Sequence, residues 1–200
     1  MEELEVKRAA RNQQTRDQLL SKTQHDYPLT PSDERLILLY YHQKINDICK
    51  YFKLPTDACL TAHLIFSTIH ISKPLLDDRH DLKHVMLSCV YLASKVDDGH
   101  TNLQEFCQKI PGTEKRVVEE LEFVLLDWLD FDILFDSPLL PLIAFIIDIY
   151  SDGSERVSVY TTAVQTIIAM YMTDIPLLHN PTIIALSALK STADKRKCIL

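Results

Sequence analysis

Apolar residues recur every three or four positions along most of this chain, the period of helices buried along one face. The first clear pattern predicts a helix from about Asp33 to Phe52, with Leu36, Leu39, Tyr40, Gln43/Lys44 and Ile48 marking its faces. Ser32 is its expected N-cap, and Asp33 and Glu34 suit the positive end of the helix dipole. Pro55 opens a second helix carrying Ala58, Ala62, Ile65, Phe66 and Ile69 at helical spacing. After the break "SKPLLDD", a third has Leu82, Val85, Met86, Cys89, Leu92, Ala93 and Val96 on one stripe and is expected to end at Asp98 and Gly99. A short fourth covers Asn102–Lys109, punctuated by Pro111-Gly112. Thr113 is the expected cap of a fifth, in which Val117, Val118, Leu121, Val124, Leu125, Trp128 and Leu129 form a wide band beside Phe123 and Leu126. Being apolar on nearly every side from residue 121, this fifth helix is predicted to be central.

The flanks differ. Residues 3–22, rich in Glu, Arg, Gln and Ala, read as a charged helix on the outside of the fold, and the two prolines of "DYPLTPSDE" separate it from the rest. "DFDILFDSP" reads as a linker, after which the pattern partly restarts. "SKPLLDD" has a counterpart in "TDIPLLHNP", and "LSCVYLASK" (87–95) matches "LSALKSTAD" (186–194). A period of roughly 100 residues points to two copies of one helical module, the second stopping after its third helix. The expected division is an outer helix and linker over 1–31, a complete module over 32–133 and a shortened copy over 134–200. Apolar surface around Ile183, Ile184 and Leu186 is then expected to be partly exposed.

Composition narrows the class. Only three glycines occur, Gly99, Gly112 and Gly153, each in an expected turn, whereas hairpins and phosphate-cradling loops need glycine. The fold is therefore predicted to be all-α. The net charge of −7 opposes wide contact with a nucleic-acid backbone. The five cysteines, Cys49, Cys59, Cys89, Cys107 and Cys198, include no C-x-x-C pair, which argues against a disulfide framework or zinc knuckle and for a reducing compartment. The start "MEELEVKRAARNQQ" lacks the apolar core of a signal peptide, and the longest apolar run has nine residues, where a membrane span needs about 18 or more. The chain reads as soluble and intracellular.

Few residues suggest chemistry. His80 and His84 stand one turn apart, a metal-ligand spacing, but Leu82, Val85 and Met86 define the buried face and are expected to turn both histidines toward solvent. Asp97, Asp98 and His100 gather at a helix end, where a hydrolase would need a further convergent group, and a polar turn explains them. "KSTADKRK" is basic enough to serve as a nuclear import signal or to be a plain tail. No nucleophile elbow, Walker loop or dinucleotide fingerprint is present. The feature that demands an answer is Lys95, one cation near the buried face of a greasy helix, and Glu122 is the acid inside the apolar fifth helix. Small residues Ser88, Ala93 and Ser94 would let those helices approach closely. Spacing alone leaves open whether a Lys95–Glu122 bridge locks two helices or faces a partner.

"YLASKVDD" at 91–98 together with "LEFVLLDWLDF" at 121–131 resembles the cyclin box, and "ERLILLYYHQKINDICKYFKLP" with "TDIPLLHNPTIIALSALKSTA" is most similar to the cyclin H branch of that family. The resemblance implies a cyclin fold: a five-helix box, a shortened second cyclin-like repeat and an outer N-terminal helix. It implies no catalysis or cofactor of its own, but binding and activation of a cyclin-dependent kinase. In cyclins a lysine and a glutamate at the positions of Lys95 and Glu122 hydrogen-bond the backbone of the kinase helix bearing an active-site glutamate, moving it inward to complete a Lys–Glu pair over ATP. By the same alignment Leu92, Val96, Leu126, Phe131 and Ile133 would line the surface receiving that helix. The position of Lys95 is Asp194 in the second copy, so only the first copy is expected to hold the kinase. "ERLILLYY" departs from the M-R-A-I-L substrate-docking motif of other cyclins. The cyclin H branch implies the CDK-activating kinase, a RING-finger assembly factor, TFIIH and the nucleus. A cyclin C-like subunit of a Mediator-type kinase and a TFIIB-like DNA-binding protein are the alternatives.

Overall fold

The computed structural model describes residues 30–73, 80–97 and 101–197. The expected outer helix over 3–22 lies outside them, as do Asp98, Gly99, His100 and Cys198. The described residues form helices and no strand: α1 (Pro31–Tyr51), α2 (Thr56–Ser72), α3 (Leu82–Val96), α4 (Leu103–Lys109), α5 (Lys115–Trp128), α6 (Leu139–Ile149), α7 (Gly153–Tyr171), α8 (Ile175–Leu178) and α9 (Pro181–Lys197). None of these is long and apolar enough to cross a membrane. The chain divides into two compact units, 1–133 and 134–200.

Helix α1 begins two residues earlier than the sequence suggests. Thr30, not Ser32, is the N-cap, and its hydroxyl accepts from the Asp33 N–H at 3.2 Å while the Asp33 carboxylate accepts from the Thr30 N–H at 3.0 Å. Pro31 at the first helical position lacks the N–H that would otherwise go unpaired, so Thr30-Pro31 is a better start. The expected faces of α1 also fail. Leu36, Leu39 and Tyr40 are exposed, whereas the buried stripe is Glu34, Leu38, His42, Ile45, Asn46 and Cys49. Three polar members hide that stripe from a hydropathy pattern.

In the first unit α3, not α5, is central. Every residue of α3 from Val85 to Ser94 is buried, and it packs against α1, α2 and α5. Its small residues allow this, and Ser88 Oγ donates to the Val118 carbonyl of α5 at 3.4 Å. Helix α5 buries only Val118, Leu121 and Leu125 in its body, and Phe123 is 73% exposed. The charged residues Glu119, Glu120 and Asp127 share its exposed side, so the expectation of an all-round buried helix is wrong. Thr113 does not cap it either. The helix starts at Lys115 with Glu114 as N-cap, leaving the Thr113 hydroxyl without a hydrogen bond.

The second unit packs α9 against α6 and α7, with the single turn of α8 where the sequence suggested a plain break. Gly153 is not in a turn but opens α7, where the Asp152 carboxylate accepts from the Glu155 N–H at 3.0 Å. Leu142, Ile146, Val159, Ala163, Ile167, Ile184, Ala185, Ala188 and Leu189 form the core. Ile183 and Leu186 are exposed as expected, but Ile184 is 2% exposed and belongs to that core. Leu140, Ile143, Ala144 and Ile147 of α6 line an open groove of about 660 Å³ with Asn180, Pro181 and Thr182.

Candidate partner-binding site on the first unit

The C-terminal end of α3 and the middle of α5 bring Lys95 and Glu122 together. Lys95 Nζ donates to both carboxylate oxygens of Glu122, at 2.6 and 2.8 Å. It also lies 4.5 Å from the centre of the Tyr91 ring, one turn back on α3. The lysine side chain is 46% exposed and the glutamate 13%. Partial burial by itself would lower the Lys95 ammonium, but hydrogen bonds and charge from Glu122, helped by Tyr91, hold it above its ordinary value. The pair is thus a pre-formed cation–anion couple on a surface, with one lysine N–H beyond the two spent on Glu122 and carboxylate lone pairs to spare.

The apolar residues expected beside it differ in exposure. Val96, Leu126 and Ile133 are half-buried and Phe131 is 69% exposed. Leu92 is 3% exposed, so it cannot line a surface; its place on the inner stripe of α3 makes it a support beneath the site. Phe131 is held by the end of α5. Asp130 and Phe131 both take left-handed backbone, φ 52° and 59°, and the Phe131 N–H donates to the Leu126 carbonyl at 2.9 Å. This closes the helix without the glycine such a cap favours, and it turns the chain back beside Leu126. A bulky residue in that conformation is uncommon, and the missing glycine left no signal in the sequence.

The other candidates disperse. His80 packs edge-on against Trp128 with ring centres 5.4 Å apart. His84 Nδ1 pairs with Asp81 Oδ2 at 2.9 Å, and its side chain is 18% exposed, so neither histidine points to open solvent as expected. Trp128 of α5 holds His80, and Asp81 at the start of α3 holds His84, because α3 is enclosed on more sides than one apolar stripe suggests. No group of three His, Cys, Asp or Glu with metal-binding geometry occurs among the described residues. Asp97 is the C-cap of α3.

A second polar assembly lies inside the unit and was missed. His63 Nε2 is 3.0 Å from Asn46 Oδ1, the Nδ1 atoms of His42 and His63 are 2.8 Å apart, and Ser67 Oγ is 3.2 Å from His42 Nε2. With both rings neutral one pattern serves all three: Ser67 O–H to His42, His42 Nδ1–H to His63, and His63 Nε2–H to the Asn46 carbonyl oxygen. Burial, and then the neighbouring His42, push His63 well below the ordinary histidine range. The i, i+4 spacings His42–Asn46 and His63–Ser67 were the available signal.

The profile of the cyclin N-terminal domain matches residues 3–134, which contain the whole of the first unit's described helices.

This chain belongs to the cyclin family.

Cyclin-H of Xenopus laevis is 28% identical over 180 residues, covering 84% of this chain and 55% of the relative. This cyclin therefore spans about half the length of the curated relatives it matches. Its fold is that of a chain in the yeast TFIIK (Kin28/Ccl1/Tfb3) complex, with a TM-score of 0.78 and 21% identity over 98% of this chain and 85% of that one. A chain in the CAK complex of Chaetomium thermophilum bound to ATP-γ-S has a TM-score of 0.80 and 19% identity, over 96% of this chain and 63% of that one.

Proposed function

We propose that this cyclin is a cyclin H-type regulatory subunit that binds and activates a cyclin-dependent kinase, with no catalysis of its own. The single observation carrying this reading is the Lys95–Glu122 pair, formed at the surface between two helices of the matched domain. Its polar atoms can serve a partner backbone at both ends: the ammonium donates to a carbonyl and the carboxylate accepts from an N–H. Val96, Leu126, Phe131 and Ile133 supply the apolar rim on which the kinase helix rests. Leu92 holds α3 in place underneath. The similarity to Cyclin-H and to the cyclin-fold chains of TFIIK and CAK supports a CDK-activating kinase working with a RING-finger assembly factor in TFIIH, and hence a nuclear location. Residues 32–133 act as the cyclin box that meets the kinase, and residues 134–200 act as scaffold.

Charge reversal tests the site. Lys95→Glu and Glu122→Lys should each weaken binding to the cognate kinase at least 30-fold, about 2 kcal/mol, and abolish activation. The double reversal separates a docking site from a strut. It restores the internal ion pair but presents the wrong polarity to the kinase backbone, so binding should stay lost while the thermal midpoint recovers. Restored binding in the double variant would reduce the pair to an internal lock and refute the proposed role.

A further inference from the structure

Helix α9 leaves one long face open. Ile183, Leu186, Ser187, Lys190 and Asp194 are exposed and recur at helical spacing, opposite the stripe that packs on α6 and α7. The match between residues 87–95 and 186–194 sets Leu186, Ser187, Lys190 and Asp194 beside Leu87, Ser88, Tyr91 and Lys95 of α3. In the first unit that face is covered. Leu87, Ser88 and Tyr91 are buried, Ser88 Oγ donates to the Val118 carbonyl of α5, and Lys95 meets Glu122 of the same helix. The first unit therefore displays the kind of element that such a face accepts. It is an amphipathic helix with an inward stripe of Val118, Leu121 and Leu125 and one charged residue at 122.

We propose that the open face of α9 is a docking surface for one amphipathic helix of a partner protein. That helix has aliphatic residues at the spacing of Val118, Leu121 and Leu125, and a lysine or arginine where α5 has Glu122. Ile183 and Leu186 supply the apolar contact, and Ser187 permits the close approach that Ser88 gives α3. The charge follows from Asp194. It stands where α3 has the cation Lys95, it is exposed, and it forms no ion pair among the described residues. A glutamate facing it would set two carboxylates together, whereas a cation completes the pair with its signs exchanged. Lys190, in the place of Tyr91, can lay its methylene stem along the partner and keep its ammonium in water. The α5 helix of a second copy does not fit. Its stripe is spent on its own unit, and its acid has the wrong sign for Asp194.

The inference borrows the geometry of the Lys95–Glu122 pair and not the kinase reading. Loss of kinase binding is read on Lys95→Glu, and loss of helix docking on Leu186→Glu, so either can fail while the other stands.

The test uses the full chain and a fluorescent peptide of residues 114–129 carrying Glu122→Lys, titrated by anisotropy. The expected dissociation constant is about 100 µM or tighter, and the same peptide with Glu122 retained should bind about 5-fold more weakly. Leu186→Glu in the protein should weaken both peptides about 10-fold or more. Asp194→Lys should reverse their order, which a merely sticky apolar peptide would not do. Leu186 is half-exposed, so Leu186→Glu should keep the wild-type thermal midpoint to within about 2 °C. No binding of the Lys-bearing peptide, or binding indifferent to both protein variants, would overturn the proposal. So would a dimer of the chain alone, seen by sedimentation velocity and dissolved by Leu186→Glu, because the face would then belong to a second copy.

Discussion

Helices α3 and α9 carry the two matched stretches of sequence and have different surroundings. Aligning "LSCVYLASK" with "LSALKSTAD" sets Leu87 beside Leu186, Ser88 beside Ser187 and Tyr91 beside Lys190. The inner positions agree: Val85, Met86, Cys89 and Val90 are buried in α3, as are Ile184, Ala185, Ala188 and Leu189 in α9. The outer positions do not. Leu87 and Ser88 are fully buried and Tyr91 is 8% exposed, whereas Leu186 is 51% exposed and Ser187 and Lys190 face solvent. In the first unit α5 covers that side, with Ser88 hydrogen-bonded to Val118, and it also carries the acid that answers Lys95. Among the described residues of the second unit α9 packs only against α6, α7 and the short α8. A local pattern thus specifies the inner stripe of a helix, while its outer side and any ion pair there depend on a further element of the fold.

The sharpest way to break this comparison is to shorten the matched leucines. Leu87→Ala empties a sealed site and should cost about 2–5 kcal/mol in urea unfolding. Leu186→Ala should cost no more than about 0.5 kcal/mol. Equal losses would show that α9 is covered after all.

Next come the matched charges. Lys95→Glu should lose about 2 kcal/mol or more of kinase affinity in a titration, but only about 1 kcal/mol or less of stability, because the lysine is 46% exposed. Asp194→Lys should leave that affinity unchanged. A loss at Asp194 as large as at Lys95 would place a binding surface on the second unit.

Acid should separate the units further. The first buries His42, Asn46, His63, Ser67 and His70, whereas Thr192 is the one buried polar residue among those described in the second. His63 is held neutral in the fold, its proton affinity pushed well below the ordinary value near 6.5 by burial and by His42. The unfolded chain therefore binds the proton more readily. His63's contribution is fully present above about pH 6.5 and is lost as pH falls toward the folded value, by up to about 1.4 kcal/mol per pH unit. Circular dichroism melts from pH 7.5 to 5.5 should show the first unit weakening; a flat profile would mean that the histidine chain accepts a proton within the fold. The smallest effect is expected at Ile183→Ser, within about 0.5 kcal/mol by thermal melting, since that side chain is 55% exposed.

Much was legible in the residues. Scarcity of glycine, helical periodicity and the spacing of Lys95 from Glu122 forecast an all-α chain with a complete module and an ion pair between its third and fifth helices. The order of burial was not legible, because it depends on how many neighbours a helix acquires. Helix α3 looked one-sided and is enclosed, α5 looked enclosed and is one-sided, and Leu92 reads like its neighbour Val96 yet lies beneath the surface. The stripe of α1 escaped because His42 and Asn46 are polar in isolation and become core residues only when His63, Ser67 and Cys59 of α2 meet their hydrogen-bonding groups. By itself the sequence determined the five helices of the first unit and which charges could pair, since period and chain spacing are local properties. Only the tertiary structure decided which faces are sealed, which polar groups are buried and where the Lys95–Glu122 pair meets solvent, because burial and hydrogen-bond satisfaction belong to contacts between elements distant in the chain.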